Sequence, residues 1–280
     1  MRKPDALGGM AIHPTAIVDP TATLGNDVSI GPYSIVEADV VIGEGTRLAN
    51  NVRICRWTRL GAKCRIESNA VIGGDPQYVG WDCSQQTGVL IGDRCTLREA
   101  ATVHRSIYEG KNTVIGNDVY LMVNAHVAHD CVLGDRVVLT NNAMIAGHAE
   151  IGANAYIGGG AAVHQFVRVG EGSMTGGVSR IVQDVAPYLI VAERGEVHGL
   201  NLVGLKRRGT SREVIKELKE LFHLLLDTPG NIKNQAAEIL EQRGASLSEQ
   251  GRCFVEFFQT GKRGFSGLER KSGKSGTADS

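Results

Sequence analysis

The chain has 280 residues, with 30 Lys+Arg balanced by 30 Asp+Glu, so it carries no global basic field of the kind that binds nucleic acid. Its 36 glycines are about twice the ordinary share of roughly 7%, which argues against a mostly helical protein. No apolar run approaches the roughly 18 residues of a membrane span, residues 1–11 lack the apolar centre of a signal peptide, and the six cysteines form no Cys-x-x-Cys pair. A cytoplasmic chain is expected.

From Ile12 an aliphatic residue returns at every sixth position: Val18, Leu24, Ile30, Val36, Ile42, Leu48, Ile54, Leu60, Ile66 and Ile72. Four residues after each of the first ten stands a small or β-branched residue, from Ala16, Ala22 and Val28 to Cys64 and Ala70. Glycine often follows the aliphatic, as at Gly25, Gly31, Gly43 and Gly61, and is expected to supply the turn geometry. The period resumes at Ile91, Leu97 and Val103 and runs from Ile115 to Val169; Thr175 breaks it and Ile181 restores it. A helix repeats at about 3.6 and an ordinary strand at 2, so a sustained six predicts a β-solenoid of short strands, three hexads to a triangular coil. Cys64, Cys95 and Cys131 fall in the small inward slot and read as packing residues.

The pattern resembles the hexapeptide repeats of the left-handed parallel β-helix acyltransferases, and the left-handed coil is implied by that resemblance alone. Two interruptions predict excursions. One, near 73–90, contains Gly73-Gly74-Asp75-Pro76 and Trp81; the other, near 107–114, sets Glu109-Gly110-Lys111-Asn112 at an inward position. Beyond Pro187 the period stops. Thr210 and Glu213 have capping-box spacing ahead of a face of Val214, Leu218, Leu221, Phe222 and Leu225; Ile232 to Arg243 predicts a second helix ending at Gly244, and Ser248 to Thr260 a third. The expected organisation is a β-helix over 1–190, a small helical domain over 191–260 and a Gly-, Ser- and Lys-rich disordered tail over 261–280.

Residues three hexads apart stack at about 4.8 Å. His129, Gly147 and Gln165 therefore form one column, and Asp130, His148 and Phe166 the next. A histidine titrates near neutral pH, so it can take a proton from a hydroxyl and return it to a leaving group, while a neighbouring carboxylate sets its tautomer. Taken singly, each of these histidines also reads as an outward-facing polar residue of the solenoid.

Three stretches narrow the resemblance: Asn-Ala-His-Val-Ala-His-Asp-Cys at 124–131, Ala-Val-His-Gln-Phe at 162–166 and Gly-Leu-Lys-Arg-Arg-Gly-Thr-Ser-Arg-Glu at 204–213. Together they are similar to the UDP-N-acetylglucosamine acyltransferase family, which catalyses the first step of lipid A biosynthesis, over roughly residues 12–260. The resemblance implies that His129 is the general base on the glucosamine 3-hydroxyl, that Asp130 orients it and that the Gly147 N–H receives the oxyanion. It implies that His126, His148, His164 and Gln165 line the cleft, that Gly177 limits acyl-chain length, and that Asn201, Arg207 and Arg208 lie at the nucleotide. The implied partners are UDP-N-acetylglucosamine, a 3-hydroxyacyl-acyl-carrier protein and two further copies of the chain in a homotrimer, with no cofactor and no metal. The chain departs from the family where an Asp-Leu-Lys tripeptide is common: Gln77-Tyr78-Val79-Gly80-Trp81 stands instead, and no lysine occurs between Cys64 and Lys111. Acylation of a 3-amino sugar nucleotide is the close alternative. A zinc carbonic anhydrase, which the same fold supports, is opposed by the lack of a His-x-x-x-x-His spacing, since only His126-x-x-His129 is present; a non-catalytic scaffold is the third reading.

Overall fold

The computed structural model describes residues 11–268. Short strands, most of them two residues long, assemble into sheets of eleven, nine and eight strands, each strand up to Arg180–Ile181 pairing with a strand three places away along the chain. Within the coil the ladders are parallel and, apart from a bulge at Gly73, in register, with Ile17 opposite Ile35, Arg47 opposite Arg65 and His126 opposite Met144. The hexad aliphatics fill the interior as stacked columns; Ile30, Ile54, Leu121, Leu139 and Ile157 are fully buried. Hydroxyls in the small inward slot are satisfied by backbone one coil away: Ser34 donates to the Ala49 carbonyl at 2.7 Å and Thr46 to that of Gly61 at 2.8 Å. Thr175, the break in the aliphatic rule, accepts from the Gly158 N–H at 3.0 Å, so the polar residue is paired rather than stranded.

The glycines after the aliphatics have a different role from the one expected. A Cβ on Gly25 would lie 2.6 Å from the Glu44 nitrogen, and one on Gly43 2.5 Å from the Gly61 carbonyl carbon. Close approach of stacked coils, not turn geometry, excludes a side chain there. The left-handed turn position lies two residues further on and is filled more often by Asp and Asn than by any other residue type, among them Asp27, Asn51, Asn69, Asn124 and Asn142, residues that tolerate positive φ better than other non-glycine residues.

The first excursion is shorter than expected because parallel pairing recovers both its ends; the second starts earlier than expected, after His104, and pairing recovers its far end from Asn112. Strands Val71–Gly74 and Gly88–Ile91 bracket the first, and Thr102–His104 and Asn112–Ile115 the second. Gly88–Ile91 pairs along its full length with Asn112–Ile115. Register survives both: Arg65 still meets Thr96, and Thr96 meets Tyr120.

The eleven-stranded sheet runs on past the end of the hexad pattern through an antiparallel hairpin, Leu189–Ala192 with Glu196–Leu200. Four helices follow: α1 (Leu202–Arg207), α2 (Arg212–Phe222), α3 (Ile232–Arg243) and α4 (Glu249–Glu256). Ser211, rather than Thr210, caps α2 by accepting from the Val214 N–H at 3.3 Å. The buried face of α2 is Ile215, Leu218 and Leu221. Phe254 and Phe258 meet edge to face at 5.5 Å inside the helical end. Arg168 joins this end to the solenoid: it pairs with buried Asp184 at 2.8 Å and donates to the carbonyls of Thr260 and Phe257.

The tail expected from 261 onward is ordered through 268. Phe265 packs on Phe258 at 5.0 Å and bridges to Asp184, and Leu268 bridges to Val197. One aromatic anchor and two backbone bridges hold a segment whose composition alone reads as unstructured; residues 269–280 lie outside the described residues. Among the described residues no helix is long and apolar enough to cross a membrane.

Candidate active site

The nine-stranded face carries a groove of about 730 Å³ lined by Gln77, Asn124, His126, His129, Met144, Gly147, His164, Gln165 and Arg180. Hexad register assembles it. Because Val127, Ile145 and Val163 stack in one ladder, the corner residues that follow them, His129, Gly147 and Gln165, arrive side by side. The stacking is close: a Cβ on Gly147 would lie 2.6 Å from His129 Cε1 and 2.8 Å from Nε2. The imidazole therefore rests on the Gly147 backbone, and only glycine admits it.

His129 Nδ1 lies 2.9 Å from Asp130 Oδ2. With Asp130 ionised, the bond requires the proton on Nδ1 and leaves Nε2 as the free lone pair, beside Gly147. Asp130 is itself held, its Oδ1 accepting from the Ser106 hydroxyl and its Oδ2 from the Ile107 N–H at 3.2 Å. Burial alone would raise the Asp130 carboxyl; the hydrogen bonds from His129, Ser106 and Ile107 outweigh it and hold the group below the usual carboxylate range.

The adjoining column forms a platform. His148 stacks flat on Phe166, with centroids 4.4 Å apart and planes 2° from parallel, and presents its edge to His129 at 5.1 Å. His126 bonds Thr102 Oγ1 through Nδ1 at 2.8 Å and meets the edge of His104 at 4.9 Å. Burial, aided by the other imidazoles, pushes His104 down to about 4; burial also lowers His126, and it lowers His148 against the pull of Asp130. These rings are kept neutral near pH 7. His164 reaches Arg263, from the segment expected to be tail, at 3.0 Å through Nδ1.

The first excursion borders the groove. It brings Gln77 to the wall and the Tyr78 ring to 6.4 Å from that of His129. Arg105 clamps it: the guanidinium donates to Asp75 at 2.6 Å and lies 5.1 Å from the Trp57 ring and 4.6 Å from that of Trp81. Ser106, Tyr78 and Arg105 carry no periodic signal, because they come from the excursions, where the hexad rule is suspended.

Four expected residues stand apart from the groove within one chain. Gly177 is at the corner entering the nine-stranded face, in the column of Gly159, whose carbonyl oxygen a Cβ there would meet at 3.3 Å. Asn201 caps α1, accepting from the Gly204 N–H at 2.9 Å, while its amide donates to the Gly172 carbonyl at 3.0 Å. Arg207 and Arg208 are exposed at the end of α1. Arg208 lies 5.9 Å from the Tyr188 ring and lines a separate pocket with Arg136, Asn154 and Glu171, at the one corner of the coil that does not border the nine-stranded face.

His129, Asp130 and His148 also offer ligand atoms within 4.8 Å of one another, the one such grouping among the described residues. Both Asp130 oxygens already accept hydrogen bonds, and the set lacks a third imidazole of the kind the zinc reading requires.

A triangular coil with a histidine–carboxylate pair at its corner is the architecture of a hexapeptide-repeat transferase, and the model for bacterial transferase hexapeptides matches residues 21–56 and 112–147. Residues 184–266 match the second domain of UDP-N-acetylglucosamine O-acyltransferase. The acyl-[acyl-carrier-protein]--UDP-N-acetylglucosamine O-acyltransferase of Thermodesulfovibrio yellowstonii is 40% identical over 257 residues, 90% of this chain and 98% of that protein. Its counterpart from Syntrophobacter fumaroxidans is 40% identical over 258 residues, 91% and 99% of the two chains. The crystal structure of the Moraxella catarrhalis UDP-N-acetylglucosamine O-acyltransferase superposes with a TM-score of 0.87 at 40% identity, covering 91% of this chain and 99% of that one. The chain belongs to the UDP-N-acetylglucosamine O-acyltransferase family, and its fold is the left-handed parallel β-helix with a helical C-terminal end.

Proposed function

We propose that the chain transfers a 3-hydroxyacyl group from an acyl-carrier protein to the 3-hydroxyl of UDP-N-acetylglucosamine, the first step of lipid A biosynthesis, with His129 as general base. The observation that carries this reading is the His129–Asp130–Gly147 geometry: Asp130 occupies Nδ1, and the free Nε2 lies over the Gly147 backbone in the groove. Nε2 takes the proton of the sugar 3-hydroxyl as its oxygen attacks the thioester carbonyl. The tetrahedral oxyanion forms beside Gly147, whose N–H makes no backbone hydrogen bond among the described residues and is free to donate. Collapse breaks the carbon–sulfur bond, and His129 returns the proton to the departing thiolate. Asp130 holds the tautomer and balances the imidazolium charge. His126, His164 and Gln165 line the groove beside this centre, His148 backs His129 from its stack on Phe166, and Met144, Ala162 and Val182 add apolar lining suited to an acyl chain.

Arg207 and Arg208 suit a diphosphate through bidentate guanidinium geometry, and Asn201 supports the start of the same helix. Their separation from the groove within one chain supports a homotrimer, in which a neighbouring copy brings them to the sugar nucleotide bound at His129.

The test offers the purified protein UDP-N-acetylglucosamine, or its 3-amino analogue, with 3-hydroxyacyl-carrier proteins of several lengths and identifies products by mass spectrometry. An ester on the N-acetylglucosamine nucleotide is expected. Amide formation alone would move the assignment to the amino sugar, and no acylated nucleotide with any donor would end it.

A further inference from the structure

The second excursion contributes one hydroxyl to the interior of the site. Ser106 is fully buried, and its Oγ accepts from the Tyr108 N–H at 3.0 Å while donating to Asp130 Oδ1. With the Tyr108 N–H on its lone pair, the hydroxyl proton is directed at the carboxylate. The Ile107 N–H, one residue on, meets the other oxygen. Asp130 needs such support. It sits at a corner with φ of 60°, its own N–H donating to Thr113 at 2.8 Å, and no arginine or lysine pairs with its carboxylate among the described residues.

We propose that Ser106 is a positioning residue for the His129–Asp130 pair, a hydroxyl that keeps the Asp130 carboxylate in the acceptor state and rotamer from which it fixes His129. The chemistry follows from donor and acceptor counts. An ionised Asp130 can only accept, so it selects the imidazole tautomer with hydrogen on Nδ1 and the lone pair on Nε2. A carboxyl that gained a proton, or turned away, would release His129 to the opposite tautomer, whose Nε2 carries hydrogen and cannot act as base. Ser106 and the Ile107 N–H oppose both events from one short segment, and Arg105, immediately before it, is buried in the clamp on the first excursion. The segment 105–107 thus supports the carboxylate on one side and the loop bearing Gln77 and Tyr78 on the other.

This inference rests on the reading of His129 as base, and a double-mutant cycle separates the two. Steady-state kinetics on the full chain, with UDP-N-acetylglucosamine and its preferred acyl-carrier protein, compare Ser106→Ala, Asp130→Asn and the double variant. Ser106→Ala is expected to lower kcat about tenfold, the effect of losing one charge-assisted hydrogen bond, with the sugar-nucleotide KM within about twofold and the chain still fully folded at the assay temperature. In the Asp130→Asn background the same change is expected to add less than about twofold, because a residue acting through Asp130 has nothing left to act on. Ser106→Cys, close in shape with a weaker donor, should fall between wild type and Ser106→Ala and serves if the alanine variant does not fold. Wild-type kcat in both serine variants, or losses that multiply in the double variant, would overturn the role of Ser106. Wild-type turnover in Asp130→Asn would instead remove the His129–Asp130 mechanism, and this inference with it.

Discussion

A Cβ at Gly147 cannot coexist with the present position of the His129 ring, so the two residues should fail together and for different reasons. His129→Ala removes the base and is expected to lower kcat by roughly 10²–10⁴ with KM little changed. Gly147→Ala keeps the base and displaces it; it should lose kcat on the same order, while a crystal structure records the imidazole lifted from the corner. Turnover near wild type in either variant would dismiss the assigned geometry. Gly177 stands at the exposed corner leading into the same face, and Gly177→Met is expected to shorten the preferred acyl chain, read by competition between donors of different length. An unchanged preference would leave Gly177 as a corner residue only. At this scale the columns His129–Gly147–Gln165 and Asp130–His148–Phe166 were legible, because the hexad aliphatics fix which corners stack. Ser106 and Arg105 were not. Their partners, Asp130 and Asp75, meet them through loops whose path no repeat dictates.

Within each coil the same reasoning divides the glycines and turn residues into two groups with opposite responses. Gly43 faces the backbone of the next coil, so Gly43→Ala should destabilise by roughly 1–3 kcal/mol through overpacking. Ala100 holds a left-handed φ of 57°, so Ala100→Gly should stabilise by about 0.5–1 kcal/mol by relieving the Cβ, less what glycine adds to the freedom of the unfolded chain. Chemical denaturation of the two variants distinguishes them, and shifts of the same sign would refute the division. Although the caps by Asn231 and Ser248 emerge only in the structure, the helix α3 was readable in the sequence with its end at Gly244, and α4 was readable with its start near Ser248. The hairpin at 189–200 was not, because its strands pair antiparallel at the end of a sheet and need no hexad.

At the level of the molecule, two consequences concern assembly and pH. If Arg208 of one copy serves the groove of another, inactive His129→Ala and inactive Arg208→Ala chains, mixed by denaturation and refolding, should regain part of the wild-type activity. Mixtures no more active than their components would argue that each groove is self-sufficient. The lowered histidines set the acid side of stability. His104 titrates near 4 in the folded chain against an ordinary 6.5, so between those values the unfolded chain binds more protons and stability is lost as the pH falls. His126 and His148 act in the same direction. Melting temperature should therefore decline from about pH 6.5 toward 4, and His104→Gln should flatten that decline; an unaltered slope in the variant would assign the loss to other groups.

Both excursions leave the register of the neighbouring coils intact, at the cost of one bulge at Gly73: Arg65 finds Thr96 across the longer one, and Thr96 finds Tyr120 across the shorter. Closing a longer loop costs only slowly more as residues are added, and each coil touches only its neighbours. The corners are thus places where lineage and engineer alike can lengthen, shorten or exchange sequence while the scaffold keeps its register. His129 and Gly147 ride on the coil frame, Asp130 is braced by the second excursion, and Gln77 and Tyr78 ride on the first. A changed first excursion can therefore reshape the groove wall at Gln77 and Tyr78 while the coil keeps His129 and Gly147 stacked.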